Sequence, residues 1–406
     1  MIQLFNKTQS KISSIVVAFN AGARMEGSRK FNSGLAHMLE HSIFKGTDKR
    51  TCEQINEEVA MMGGSINAFT SHEMVAYFLD VPYDKLEDGM ELMSDIILNS
   101  KIPNDEFEKE KKVVLEEEAS SYDDIDSYMF RNFSELFFSN YLKNPVIGTQ
   151  SSISKFTAEE VREFYKKFCS KDQIILSVSS NHKKKDVKDI MIKYFGQANG
   201  KIRKKSSFGK PNEYGGLGQV LTLTRPGIEH SYVWVCFPGL TKNSKHKAAM
   251  SVMSSVLGGG MDSRLFKEIR EKRGLAYSVY CASTEFQTAG AFMICFSSRD
   301  ENINEIIELV SLEISKIKEN LVEEKELQKI KNKKRTAYYR SIEDGFTICM
   351  NNISQKLFSS CSLEKFDSML QSVSIEDIKD VANKIFKTDP LIVICKGDSE
   401  ESGEDE

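Results

Sequence analysis

The chain has 406 residues, 40% of them hydrophobic and 28% charged, with a formal net charge of -4. That length implies about two domains of ordinary soluble composition. The charge, and the lack of a basic aromatic-interleaved patch, give no reason to expect nucleic acid, and no apolar run approaches the ~18 residues that span a bilayer.

In chain order, Met1 to Ser10 carries one lysine and no secretory n-region, h-region or cleavage site. Lys11 to Ala21 alternates like a strand and leads into His37-Met38-Leu39-Glu40-His41. On a helix, positions i and i+4 share a face, so both imidazoles can meet one metal ion, with Glu40 projecting beside them. Two neutral ligands and a general base are the minimum kit of a zinc hydrolase, here in the inverted H-x-x-E-H order. The chain has only 6 histidines, which makes a chance match a weak explanation.

Gly63-Gly64 turns into the strand-like run Ser65-Ile66-Asn67-Ala68-Phe69-Thr70. The long helical stretch from Pro103 to Tyr122 holds Glu110, Glu116, Glu117 and Glu118. Catalytic zinc usually takes three protein ligands, and this stretch is the best source of the third. Glu110 and Glu117 lie seven apart, two turns along one face, so one can ligate while the other orients a ligand. Glu118 stays open as the alternative third ligand.

The second half repeats the first. Thr157 and Ser374 each open a helix with a cap and an acidic residue three positions on. They lie 217 positions apart, as do Asp172 and Asp389, each of which precedes a β-branched strand. A constant offset points to a duplicated domain. Glu229 to Gly239 matches the first strand, and Lys245 to Leu257 matches the histidine helix but carries only His246. The expected organisation is a zinc-bearing domain over 1–195, a Gly/Lys/Ser-rich linker over 196–218 that includes the basic run Lys201–Lys205, a metal-free copy over 219–397 and an acidic tail over 398–406. Each copy is expected to be α+β, a mostly antiparallel sheet with helices packed on one face. The eight cysteines form no C-x-x-C pair and several sit in apolar runs, which places the chain in a reducing, cytoplasmic compartment.

H-x-x-E-H followed 76 positions later by a glutamate inside Glu110-Lys111-Lys112-Val113-Val114-Leu115-Glu116-Glu117-Glu118 resembles the pitrilysin group of zinc peptidases. Phe44-Lys45-Gly46-Thr47, the Gly63–Thr70 segment and Gly258-Gly259-Gly260 with Arg270 and Tyr277 extend the resemblance over nearly the whole chain. It implies one zinc per chain on His37, His41 and Glu117, Glu40 as base and Glu110 supporting a ligand. It makes Asn67, Ala68 and Phe69 part of an edge strand that meets a peptide substrate, and Arg270 and Tyr277 donors to the scissile carbonyl. In that group two such two-domain halves close into a chamber. A chain bearing both the metal motif and the Arg/Tyr pair is then expected to form a homodimer, the rival being a heterodimer with a separate Gly-rich-loop subunit. The activity implied is metalloendopeptidase, the alternative a non-catalytic scaffold subunit of the same fold.

Overall fold

The computed structural model describes residues 1–26, 32–200 and 213–397. Most of the expected linker, the basic run Lys201–Lys205 and the acidic tail lie outside the described residues. The elements run β1 (Ile2–Lys7), β2 (Ile12–Phe19), α1 (Leu35–Ser42), α2 (Cys52–Met61), β3 (Ser65–Thr70), β4 (Val75–Pro82), α3 (Leu86–Asn99), α4 (Asn104–Ser120), α5 (Ile125–Phe137), α6 (Gln150–Ile153), α7 (Ala158–Phe168), β5 (Ile175–Ser180) and α8 (Lys184–Phe195). The second half continues β6 (Val220–Thr224), β7 (Ser231–Pro238), α9 (Lys247–Gly258), β8 (Ala276–Glu285), β9 (Gly290–Ser298), α10 (Ile303–Glu319), α11 (Glu324–Glu343), α12 (Gly345–Phe358), α13 (Leu363–Ser372), α14 (Ile375–Ile385) and β10 (Leu391–Lys396).

The duplication is written into the topology. The first sheet has the order β1-β5-β2-β4-β3 and the second β6-β10-β7-β9-β8. In each, the first strand pairs in parallel with the last, and the other pairings are antiparallel. Thr157 and Ser374 both close capping boxes, with Glu160 and Asp377 respectively. Two separate apolar cores result. One lies under Ile15, Val17, Phe19, Tyr77 and Leu79, the other under Val233, Val235, Phe292 and Ile294.

Two units appear by contact. The first holds Met1–Arg131, Asn140–Ser207 and Tyr339–Leu363, so α12 joins it although it comes late in the chain, while Asn132–Ser139 groups with the second. The reason lies in β2 and β5. Residues of alternate parity point to opposite faces, and β2 is buried continuously from Ser13 to Phe19 rather than on one face. One face meets the core. The other is covered by α12: Phe346 packs on Phe78, Asn352 donates to Ser177 Oγ at 3.1 Å, and Cys349 contacts the Ser14 carbonyl. The first sheet therefore carries one helix on its second face in addition to the layer expected from the sequence.

Candidate metal centre and peptide-binding edge

The site is built on α1. Gly34 precedes the helix at φ 98°, and a Cβ there would lie 2.5 Å from the Ile147 carbonyl oxygen, so the position requires glycine. Leu35, Ala36, Met38 and Leu39 face the core. That leaves His37, Glu40 and His41 on the opposite face, turned toward α4 and β3.

The structure brings His37, His41 and Glu117 together, with one candidate ligand atom from each lying within 4.8 Å of the others. His41 Nε2 is 3.2 Å from Glu117 Oε2, and His37 Nε2 is 3.7 Å from Glu117 Oε1. Glu110 stands behind His41, its Oε1 3.0 Å from Nδ1, and Lys45 Nζ holds the other Glu110 oxygen at 2.6 Å. This fixes the imidazole so that Nε2 faces the cluster, as an outer carboxylate does for a metal-ligating histidine. Glu118 turns away. Its side chain is buried and pairs with Arg131 Nη1 at 3.0 Å.

The electrostatics are those of a cation site. Burial and the neighbouring His41 push His37 down to about 4. Burial also penalises charge on His41, but Glu110, Glu117 and Glu40 outweigh it and raise the imidazole to about 9. The hydrogen bond from His41 holds Glu117 below the usual carboxylate range against burial. Burial pushes Glu110 up, and its bonds from His41 and Lys45 more than reverse that. Glu110, Glu117 and Glu40 thus favour positive charge at His41, at a place where a divalent cation would satisfy the same groups. His37 Nδ1 is buried without a hydrogen-bond partner. Two imidazoles and a carboxylate form the donor set of a catalytic zinc site, and these residues fit that ion.

Three further residues contribute that the sequence reading gave no role. Thr70, the last residue of β3, donates its hydroxyl to Glu40 Oε2. Burial raises the Glu40 carboxyl and that hydroxyl lowers it. Lys45 anchors Glu110, while its neighbours secure the segment: Phe44 packs on Tyr77, and Thr47 donates to Asp95 Oδ2 at 2.7 Å. Glu26, buried near the start of α1, is the third. Lys45 and Thr70 stand in segments the sequence singles out, Phe44-Lys45-Gly46-Thr47 and Gly63–Thr70, while Glu26 had no sequence signal.

Asn67, Ala68 and Phe69 lie on β3, which pairs with β4 alone and is the edge of the first sheet. Asn67 Oδ1 accepts the Ala68 N–H at 2.8 Å. Arg270 and Tyr277 lie in the second unit and adjoin each other there. Arg270 sits on a π-helical turn, Phe266–Glu271, its guanidinium over the rings of Phe266 at 4.9 Å and Tyr277 at 5.5 Å. A β-bulge between Ala276 and Ser278 leaves Tyr277 outside the β8–β9 register, and the residue is 75% exposed.

Residues 2–150 match the model of insulinase, peptidase family M16, and residues 155–334 match the peptidase M16 inactive domain. An uncharacterized zinc protease of Mycobacterium leprae is 31% identical over 336 residues, 82% of this chain and 75% of that protein. The chain belongs to peptidase family M16. A second member, an uncharacterized zinc protease of Bacillus subtilis, is 27% identical over 97% of this chain and 95% of its own. The M16 fold recurs in a protease from Helicobacter pylori, with a TM-score of 0.87 and 21% identity over 97% of this chain and 96% of that one. A peptidase M16 inactive domain from Pseudomonas fluorescens gives 0.86 and 20%, covering 97% and 95%. Within this M16 chain the inactive-domain match begins in the last elements of the first copy and includes α9, which has no H-x-x-E-H, and the insulinase match contains the whole His37–His41–Glu117 set. Among the described residues no helix is long and apolar enough to cross a membrane. None of the eight cysteines forms a disulfide.

Proposed function

We propose that the chain is a zinc-dependent endopeptidase acting on extended peptides. The observation that carries this reading is the convergence of His37, His41 and Glu117 around one point, with Glu40 on the same helix. Those three side chains would hold a zinc ion, which would supply a water of pKa lowered toward ~7 and polarisation of the carbonyl. Glu40 takes a proton from the attacking water through the carboxylate oxygen that Thr70 does not hold. The water oxygen adds to the carbonyl carbon, the C–N bond breaks, and Glu40 returns the proton to the leaving amine.

The open edge of β3 supports binding of the substrate as an added strand, with Asn67, Ala68 and Phe69 along it. Such a peptide displaces the Asn67 side chain from the Ala68 N–H. Arg270 and Tyr277 offer a cation and a phenol, donors suited to the developing oxyanion. We assign them to the zinc site of a second copy in a symmetric homodimer, with a heterodimer as the competing assembly. Eight cysteines without a disulfide support a reducing, cytoplasmic setting.

The test is cleavage of an unstructured quenched-fluorescent peptide, with chelator and then with zinc restored. Loss on chelation and recovery on re-addition are expected. A zinc-loaded protein that cleaves no unstructured peptide would instead favour a scaffold subunit.

A further inference from the structure

α1 is a helix of eight residues whose N-cap, Gly34, has no side chain to accept the first-turn amides. Those amides are nevertheless satisfied, by a residue far upstream. Glu26 Oε2 accepts the Gly34 N–H at 2.9 Å and Oε1 accepts the Ala36 N–H at 2.6 Å. The Leu35 amide also bonds this carboxyl, and the residue is 4% exposed.

Glu26 is itself held to the edge strand. It ends a short 3-10 turn, Ala23–Met25, in which the Ala23 N–H donates to the Ser71 carbonyl at 3.1 Å and the Arg24 N–H to the His72 carbonyl at 3.0 Å. Gly22 lets this turn press onto the same segment, since a Cβ there would lie 2.4 Å from Ser71 O. Ser71 follows Thr70, whose hydroxyl holds Glu40. The end of β3 therefore grips α1 twice: through Thr70 near its C-terminal half, and through the 22–26 turn and the Glu26 carboxyl at its N-terminus.

From this bracket we infer that Glu26 is a positioning residue that sets the angle of α1 against the peptide-binding strand, and so the placement of His37, Glu40 and His41. It is not among the residues of the His37–His41–Glu117 cluster. A negative group at a helix N-terminus is also favourable in itself, but that contribution would stabilise any helix. The specific consequence here is geometric: an α1 free to pivot spreads the His37–His41–Glu117 set, and misplacement of the order of 1 Å is costly to catalysis.

The inference rests on the peptidase reading, and the experiment separates the two. Full-length Glu26→Ala and wild-type proteins are compared in zinc affinity by chelator competition, in kcat and KM, and in hydrogen exchange of the α1 amides without metal. In Glu26→Ala, faster exchange in the first turn of α1, zinc affinity weaker by about tenfold or more, and a fall in kcat larger than any rise in KM are expected. A Glu26→Ala protein with a lower Tm but wild-type zinc affinity, kcat and α1 exchange overturns the inference, because a merely structural role predicts that result. Should Glu26→Ala not fold, Glu26→Asp, one methylene short of its amides, is expected to show the same changes in weaker form, and wild-type values there overturn it equally. If the wild-type protein neither takes up zinc nor cleaves peptide, the peptidase reading falls, while exchange in metal-free protein still decides whether Glu26 anchors α1.

Discussion

Glu117 and Glu118 are adjacent in sequence and face opposite tasks, so their alanine variants should separate zinc binding from stability. The Glu117 side chain is 47% exposed, and without metal its partners are the two histidines. Its removal from metal-free protein should cost no more than about 1 kcal/mol, the scale of a solvent-screened ion pair. The Glu118 side chain is only 5% exposed, and Arg131, at 17%, depends on it and on the Gly148 carbonyl at 3.2 Å. Removing one partner of a buried pair costs about 3–5 kcal/mol. At about 2–4 °C per kcal/mol for a domain of this size, Glu118→Ala should melt roughly 6–20 °C lower. Zinc should then act in the opposite pattern. Free zinc at 100 times its Kd stabilises a site by about 2.7 kcal/mol. Wild type and Glu118→Ala should both gain that increment, and Glu117→Ala should lose it. Thermal unfolding of the three proteins, each with chelator and with zinc, reads both effects at once. A Glu118→Ala protein that no longer responds to zinc, beside a Glu117→Ala protein that does, would refute the assignment of the third ligand.

Glu40→Gln should keep wild-type zinc content by metal analysis and lose peptide cleavage, since only the proton acceptor is gone. Thr70→Val removes the hydroxyl that holds Glu40 down against burial, so the Glu40 pKa rises. Because the base works ionised, the acid limb of the kcat/KM profile should move to higher pH, and an unmoved limb would detach Thr70 from the base. Lys45→Met strips Glu110 of its ammonium partner and should weaken zinc binding about tenfold in a chelator competition, as loss of outer-shell support does elsewhere. Mixing inactive Glu40→Gln with inactive Arg270→Ala protein should restore part of the activity through mixed dimers. No recovery despite demonstrated subunit exchange would exclude sharing of Arg270 and Tyr277 between copies.

What the sequence discloses and what it withholds divide along physical lines. The histidine pair is legible because its spacing is local: i and i+4 share a helix face wherever the helix goes. The duplication is legible because cap chemistry and strand starts recur at one offset, and both capping boxes form. Glu117 and Glu118 are not separable in this way. One residue on a helix is a turn of about 100°, and which of the two meets α1 depends on how α4 lies against it. Glu26, Thr70 and Lys45 reach the site through tertiary contacts that leave no periodic trace. The burial of β2 is missed for a related reason. Ser14 reads as a solvated position, yet α12, more than 300 residues later, covers it, and its small side chain is what lets Gly345 sit close.

The two copies also show which features belong to the fold and which to the chemistry. α9 occupies in the second sheet-and-helix unit the place that α1 has in the first: each packs against the capping-box helix, α14 or α7, beneath a sheet of the same order. α9 is apolar, with Ala248, Ala249, Met250, Val252, Met253, Val256 and Leu257 all buried. The fold therefore stands without histidines at that helix. α1 departs from this economy in three ways. It leaves His37 Nδ1 without a partner, it gathers two imidazoles and three carboxylates into a partly buried cluster, and it needs a distant carboxylate to complete its N-terminus. Each departure is unfavourable in a helix that only packs. Polar groups retained at such a cost in one copy, and absent from the other, mark the place where local stability yields to function.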